Sequence, residues 1–178
     1  MDIRPFHQDD AAHLCNWFAS EAELIQWGGP LLKYPLCEPQ IQQMHSETEG
    51  NKPQRLMFSA FYNQELVAHA QLVLDWQHGV ARLGRVAVNP SYRGQRLTQP
   101  FLQQIIERLF DQQEFSRLEL NVFTFNRVAI QAYRKLGFQL EGIRRSCLQV
   151  GNERWDTAIF GMLRSDIKTA ESLRALAS

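Results

Sequence analysis

The chain has no excess of charge of either sign: nineteen lysines and arginines stand against nineteen aspartates and glutamates over 178 residues. With no net field, the protein as a whole does not draw nucleic acid or an anionic membrane toward it, so any anion site must be local. Cysteine is scarce too. Cys15, Cys37 and Cys147 form an odd set with no CxxC and no Cys/His ligand spacing, which argues against a disulfide framework or a zinc site and leaves them as reduced packing residues. No apolar run reaches the ~20 residues of a membrane span, and MDIRPFHQDD places charges where a secretory signal needs its apolar stretch. These absences predict a cytoplasmic protein without a metal ion, a membrane or a nucleic-acid partner.

What is present suffices for one core. Hydrophobic residues make up 44% of the chain and aromatics 11%, and the length suits one domain over 1–178 better than two. No repeat, low-complexity segment or linker divides it. A short strand is expected at 2–6 and one or two helices over 8–27. Another short helix is expected at 40–48, after the breaks at Gly28, Gly29, Pro30, Pro35 and Pro39. Alternation marks a strand through Phe58, Ala60 and Tyr62 and a second from Leu66 to Leu74, with Asn63-Gln64 as the hairpin turn. Further strands are expected at 80–88, 117–123, 138–148 and 153–163. An amphipathic helix carries Leu97, Phe101, Leu102, Ile105, Ile106, Leu109 and Phe110. A shorter helix runs from 126 to Leu136 and stops at Gly137, and a polar helix begins near 165. The order predicts an α+β fold whose consecutive strands are mostly antiparallel.

The segment VAVNPSYRGQRLT has the makings of an anion site. A strand ends at Val88, a loop passes through Arg93 and Gly94, and a helix begins near Leu97, so backbone N–H groups and the positive end of a helix dipole converge. Gly94 allows close approach, Thr98 adds a hydroxyl, and Arg93 and Arg96 add two cationic forks. The single glycine and the absence of Gly-Lys-Ser/Thr separate it from the Walker loop and the dinucleotide fingerprint. The same segment also reads as a solvated loop capped by Thr98. In NRVAIQAYRKLGF, Asn126 opens a helix and Tyr133 follows two turns later on nearly the same face. Asn126 as a helix cap and Tyr133 as a half-buried core aromatic is the plain alternative there.

Together, VAVNPSYRGQRLT and NRVAIQAYRKLGF resemble the acetyl-CoA site of the Gcn5-related N-acetyltransferases. The tail EGIRRSCLQVGNERWDTAIFGML is similar to the branch that acetylates ribosomal-protein N-termini and polyamines, and WGGPLLKYPL fits that branch more loosely. The resemblance covers about 56 to 164. It implies a single domain with a mixed, mostly antiparallel, bent sheet of 6–7 strands, splayed at the cofactor and flanked by helices. Residues 1–55 would form acceptor-side helices, 56–164 the cofactor-binding core and 165–178 a C-terminal helix. Val86, Ala87 and Val88 would pair with the pantetheine amides like an added half-strand. Arg93, Gly94, Gln95, Arg96, Leu97 and Thr98 would hold the pyrophosphate. Asn126, beside Ala129, would bond the pantetheine arm, Tyr133 would stand near the thioester sulfur as general acid, and Arg134 or Lys135 would lie near the adenosine phosphates. The family pattern usually has glycine where this chain has Arg96, and glycine or alanine where it has Thr98.

The resemblance implies acetyl-CoA as donor, no metal, and direct attack by a primary amine in a ternary complex, on a monomer or homodimer. The acceptor would be a protein N-terminus or a small-molecule amine. Polyamines, aminoglycoside-like amines and a non-catalytic CoA-binding sensor are the alternatives. The family often places a glutamate on the strand before the Arg-Gly loop, yet ARLGRVAV has no carboxylate. Glu119 is the nearest candidate base, with Glu23, Asp75, Glu141 and Asp156 behind it. At pH 7.5 an α-amine of pKa near 8 is neutral roughly a quarter of the time, and a lysine-type amine only about once in a thousand. A missing base therefore favours a weakly basic acceptor. Trp17, Trp27, Trp76 and Trp155 with Tyr34 and Tyr62 are candidate pocket aromatics, although tryptophans in a small domain more often belong to the core.

Overall fold

Alternating and helical patterns resolve into twelve named elements in a computed structural model that describes residues 1–167. In chain order these are β1 (Asp2–Pro5), α1 (Ala11–Cys15), α2 (Glu21–Gly28), α3 (Glu38–His45), β2 (Arg55–Tyr62), β3 (Glu65–Asp75) and β4 (Val80–Val88). Then follow α4 (Thr98–Asp111), β5 (Arg117–Phe123), α5 (Arg127–Leu136), β6 (Gln139–Val150) and β7 (Glu153–Leu163). The strands form one seven-stranded sheet in the order β1-β2-β3-β4-β5-β7-β6. β1 with β2, β2 with β3, β5 with β7, and β6 with β7 run antiparallel. The α+β class and the strand count at the upper end of expectation hold. Of the C-terminal helix, 164–167 are helical, and the rest of that expectation lies outside the described residues. Among the described residues, no helix is long and apolar enough to cross a membrane.

The β2–β3 hairpin turns at Asn63 and Gln64, both left-handed with φ of 50° and 67°. Two consecutive positive φ values are what a two-residue hairpin loop needs to match the strand twist.

The chain divides into two compact units, one of 1–74 with 83–102, the other of 75–82 with the described residues from 103 on. In the first, Phe6, Leu14, Trp17, Phe18, Leu24, Trp27, Ile41, Met44, Met57 and Leu66 form one apolar cluster. α2 starts because Ser20 accepts the Glu23 N–H at 3.2 Å while the Glu23 carboxylate accepts the Ala19 N–H at 3.1 Å. It ends at Gly29, whose φ of 82° leaves the helix. The buried Asp10 takes a bidentate Arg4 at 2.7 and 2.9 Å, the Ser59 hydroxyl at 2.7 Å and the His7 N–H at 3.0 Å. Burial alone would raise its carboxyl pKa, but the Arg4, His7 and Ser59 hydrogen bonds outweigh it and hold the pKa below the ordinary range.

In the second unit, Ile105, Ile106, Leu109, Phe115, Leu118, Leu120, Phe138 and Phe160 are buried. The Arg164 guanidinium donates to the carbonyls of Phe110, Gln112 and Phe115. It thus satisfies the Phe110 carbonyl, which the end of α4 leaves without a helical donor, and ties down the turn that follows.

Candidate active site

β4 changes character along its length. Ala81 and Leu83 are buried, whereas 84 to 88 are half-buried, so Val86, Ala87 and Val88 offer apolar strand to a ligand. Asn89 then pins the chain: its N–H donates to Val67 O at 2.9 Å, its amide nitrogen to Leu66 O at 3.0 Å, and its side-chain oxygen accepts the Ser91 N–H at 3.0 Å. Beyond a short 3-10 turn at 90–92, Gly94 and Arg96 are both left-handed, with φ of 80° and 60°. Left-handed residues set into a turn direct successive N–H groups to one side, the concavity that suits an anion. Among the described residues, the N–H groups of Gly94, Gln95, Arg96, Leu97 and Thr98 donate to no protein acceptor. Leu97 O accepts the Phe101 N–H at 3.2 Å and so opens α4. Arg93 and Arg96 are exposed and, among the described residues, in no ion pair.

The left-handed backbone at Arg96 accounts for the glycine that the family pattern expects there. A side chain in that region costs about 1 kcal/mol or more, which glycine avoids.

α5 builds the other segment. Asn126 caps it, its side-chain oxygen accepting the Ala129 N–H at 3.2 Å. The cap consumes the donor of Ala129 and leaves the Asn126 amide nitrogen free to donate. At the far end Gly137, with φ of 103°, donates to Arg134 O, and Phe138 donates to Tyr133 O at 3.1 Å. This is the two-bond Schellman stop, with its apolar contact made by the Tyr133 and Phe138 rings, 5.9 Å apart and edge to face. Tyr133 is therefore fixed at its carbonyl and its ring. It is only 8% exposed, and among the described residues its hydroxyl has no hydrogen bond. Burial pushes its pKa up to about 12. Lys135 is exposed and lies about 200° around α5 from Tyr133, so it does not share the Asn126 and Tyr133 face.

Glu119 is already committed. Its Oε1 takes Arg82 at 2.6 and 2.9 Å, and Arg117 lies 3.6 Å from its Oε2. A base there would have to give up its ion pairs to receive a proton. The other candidates are held as well. Glu141 pairs with Arg117, Glu23 caps α2, Asp75 accepts the Gln77 and His78 N–H groups, and Asp156 accepts the Ser146 N–H at 2.6 Å. Of the tryptophans, Trp17 and Trp27 are core and Trp76 packs on Phe115. Trp155 meets Phe123 and Phe125 beside a cavity of about 560 Å³.

Two residues escaped the sequence reading. Asn89 fixes the start of the anion loop by long-range bonds that no local pattern announces. Arg85, half-buried in β4 with φ of 50°, left a signal that went unused: a cation inside the apolar run of ARLGRVAV.

A family model described as the acetyltransferase (GNAT) family matches residues 12–138. The alanine N-acetyltransferase of ribosomal protein bS18 from Escherichia coli (strain K12) is 33% identical over 126 residues, covering 70% of this chain and 80% of that protein. An aminoglycoside N(6')-acetyltransferase type 1 from Klebsiella pneumoniae is 25% identical over 155 residues, covering 80% of this chain and 75% of that one. Among solved structures, a spermidine N-acetyltransferase from Vibrio cholerae in complex with CoA and spermine has a TM-score of 0.78. It is 14% identical, over 93% of this chain and 96% of the other, which shows a shared fold. The chain thus belongs to the GNAT family of acetyltransferases and is an acetyl-CoA-dependent N-acetyltransferase.

Proposed function

We propose that this enzyme acetylates a weakly basic primary amine, a peptide or protein N-terminus or a small-molecule amine, by direct attack in a ternary complex. The hydroxyl of the buried Tyr133, which has no hydrogen bond among the described residues, carries the reading. The residues fit the donor. Arg93 to Thr98 hold the pyrophosphate on five unclaimed N–H groups and two guanidiniums. Val86, Ala87 and Val88 pair with the pantetheine amides, the Asn126 amide nitrogen donates to the same arm, and a backbone N–H near Val86 polarises the carbonyl. Bound acetyl-CoA supplies an activated thioester. Residues 1–55 serve the acceptor side of a cytoplasmic monomer or homodimer.

Magnitudes refine the role of Tyr133. A thiol titrates near 8.5, and Tyr133 is held near 12. Complete proton transfer to the leaving thiolate would be uphill by three to four pK units, on the order of 5 kcal/mol. Tyr133 therefore acts as a neutral hydrogen-bond donor that stabilises the charge developing on sulfur. The proton that ends on the thiol comes from the amine. With every candidate carboxylate partnered, the amine has to arrive neutral, which favours acceptors of low pKa.

The test is thiol release from acetyl-CoA with N-terminal peptides, polyamines and aminoglycosides. Release that depends on the acceptor and is fastest for amines of pKa near 8 is expected. Release with none of them would contradict the reading, and faster turnover of spermidine than of peptides would remove the low-pKa preference.

A further inference from the structure

The half-buried polar group around Arg85 has too few acceptors and too little negative charge. Gln71 Oε1 accepts from Arg55 Nη1 at 2.8 Å and from Arg85 Nη1 at 3.0 Å. Guanidiniums only donate, so the Gln71 oxygen must face them and its amide nitrogen must face His69, 3.0 Å away. His69 Nε2 is then an acceptor, and the ring proton sits on Nδ1, buried with no partner. The Trp27 Nε1–H is a second buried donor without a partner, on a ring 6.1 Å from that of His69. Burial and the Arg85 and Arg55 charges push His69 down to about 3, so it adds no cation and, with Nε2 engaged, no base.

The charge balance points the same way. Arg55 has Glu47 at 2.7 Å, and Asp10 is neutralised by Arg4. Among the described residues Arg85 has no ion pair of its own: it hydrogen-bonds to the neutral Gln71 oxygen, which it shares, and feels Glu47, already paired with Arg55, only at longer range. Burial and the Arg55 charge, only partly offset by Glu47, lower its pKa to about 10, yet it remains cationic at neutral pH. A guanidinium partly removed from water without a carboxylate in direct contact is costly, and its planar fork matches a carboxylate. Arg85 directly precedes Val86, the strand assigned above to the cofactor, and its left-handed backbone interrupts β4 at that point.

We infer that Arg85 is an acceptor-specificity residue that receives a carboxylate carried by the amine substrate, such as an acidic peptide or an amino acid. This rests on the acetyl-transfer reading. The same cation disfavours polyamines, which bring only positive charge.

The experiment measures kcat/KM for thiol release with C-terminally amidated peptides that differ only in Glu or Gln at the second position, at one pH. The expected result is at least a tenfold preference for the Glu peptide. Arg85→Gln should abolish that preference, Arg85→Lys should keep part of it, and the acetyl-CoA Kd should stay unchanged in both. Melting curves of both variants, with and without the Glu peptide, supply a second readout: stabilisation by the peptide should be lost in Arg85→Gln and persist in Arg85→Lys. Equal rates for both peptides in the unsubstituted enzyme would overturn the inference and leave acetyl transfer standing. A loss of acetyl-CoA affinity in Arg85→Gln would also overturn it, placing the cation on the cofactor. Failure to acetylate any amine would remove the inference together with the reading beneath it.

Discussion

The loop at 93–98 and helix α5, each assigned a role in the proposed reaction, offer different parts of the chain. The loop presents backbone N–H groups; 93–96 are exposed, and the Arg93, Gln95 and Arg96 side chains make no hydrogen bond among the described residues. α5 presents a side chain, and the fold holds that side chain at both ends: the cap at Asn126, the Schellman stop at Gly137, and the Phe138 ring against Tyr133. A site made of backbone tolerates changes of side chain as long as the dihedral angles survive, and Arg96 keeps φ at 60° without the usual glycine. A site made of one hydroxyl tolerates none.

That contrast is broken most severely by Tyr133→Phe. Loss of the donor should lower kcat about 10²-fold, the lower range for a preorganised hydrogen-bond donor, with acetyl-CoA Kd unchanged. A weaker Kd with normal kcat would make Tyr133 a binding residue like those of the loop. Next comes Arg93→Ala, which should weaken acetyl-CoA about tenfold, more at low salt than at high, and leave kcat at saturation intact. Equilibrium binding at two ionic strengths checks this, and an unaltered Kd would take the phosphates away from the loop. Asn126→Ala should cost about 1 kcal/mol of stability through the lost cap, read from denaturant midpoints, and should raise KM for acetyl-CoA modestly. The smallest effect is expected of Arg96→Gly: a gain of under about 1 kcal/mol, since relief of left-handed strain is partly offset by the freer unfolded chain. A net loss of stability would mean that the Arg96 side chain makes a contact of its own.

The contrast also separates what the sequence made legible from what it did not. Features written in consecutive residues were readable: the Asn63-Gln64 hairpin, the apolar stripe of α4, and α5 from its cap to Gly137. Their determinants lie within a few residues of one another. Features made by pairing across the sheet were not. Glu119 looked available because its partner, Arg82, lies 37 residues away on another strand, and periodicity carries no information about such a pair. Asn89 was passed over for the same reason, since it binds Leu66 and Val67 on β3. At Arg96, the departure from the family pattern was visible, but its meaning depended on a backbone angle.

The account rests most on a site without a dedicated base and with a tyrosine that stays protonated. A pH profile of kcat/KM from 6 to 10.5, with one peptide acceptor of known α-amine pKa, tests both. Because burial raises the Tyr133 pKa to about 12, the donor is present at every lower pH and is lost only as pH rises through that value. The profile should rise with unit slope up to the acceptor pKa and then stay flat. A rise governed by some other pKa, or a fall below pH 10, would contradict the account.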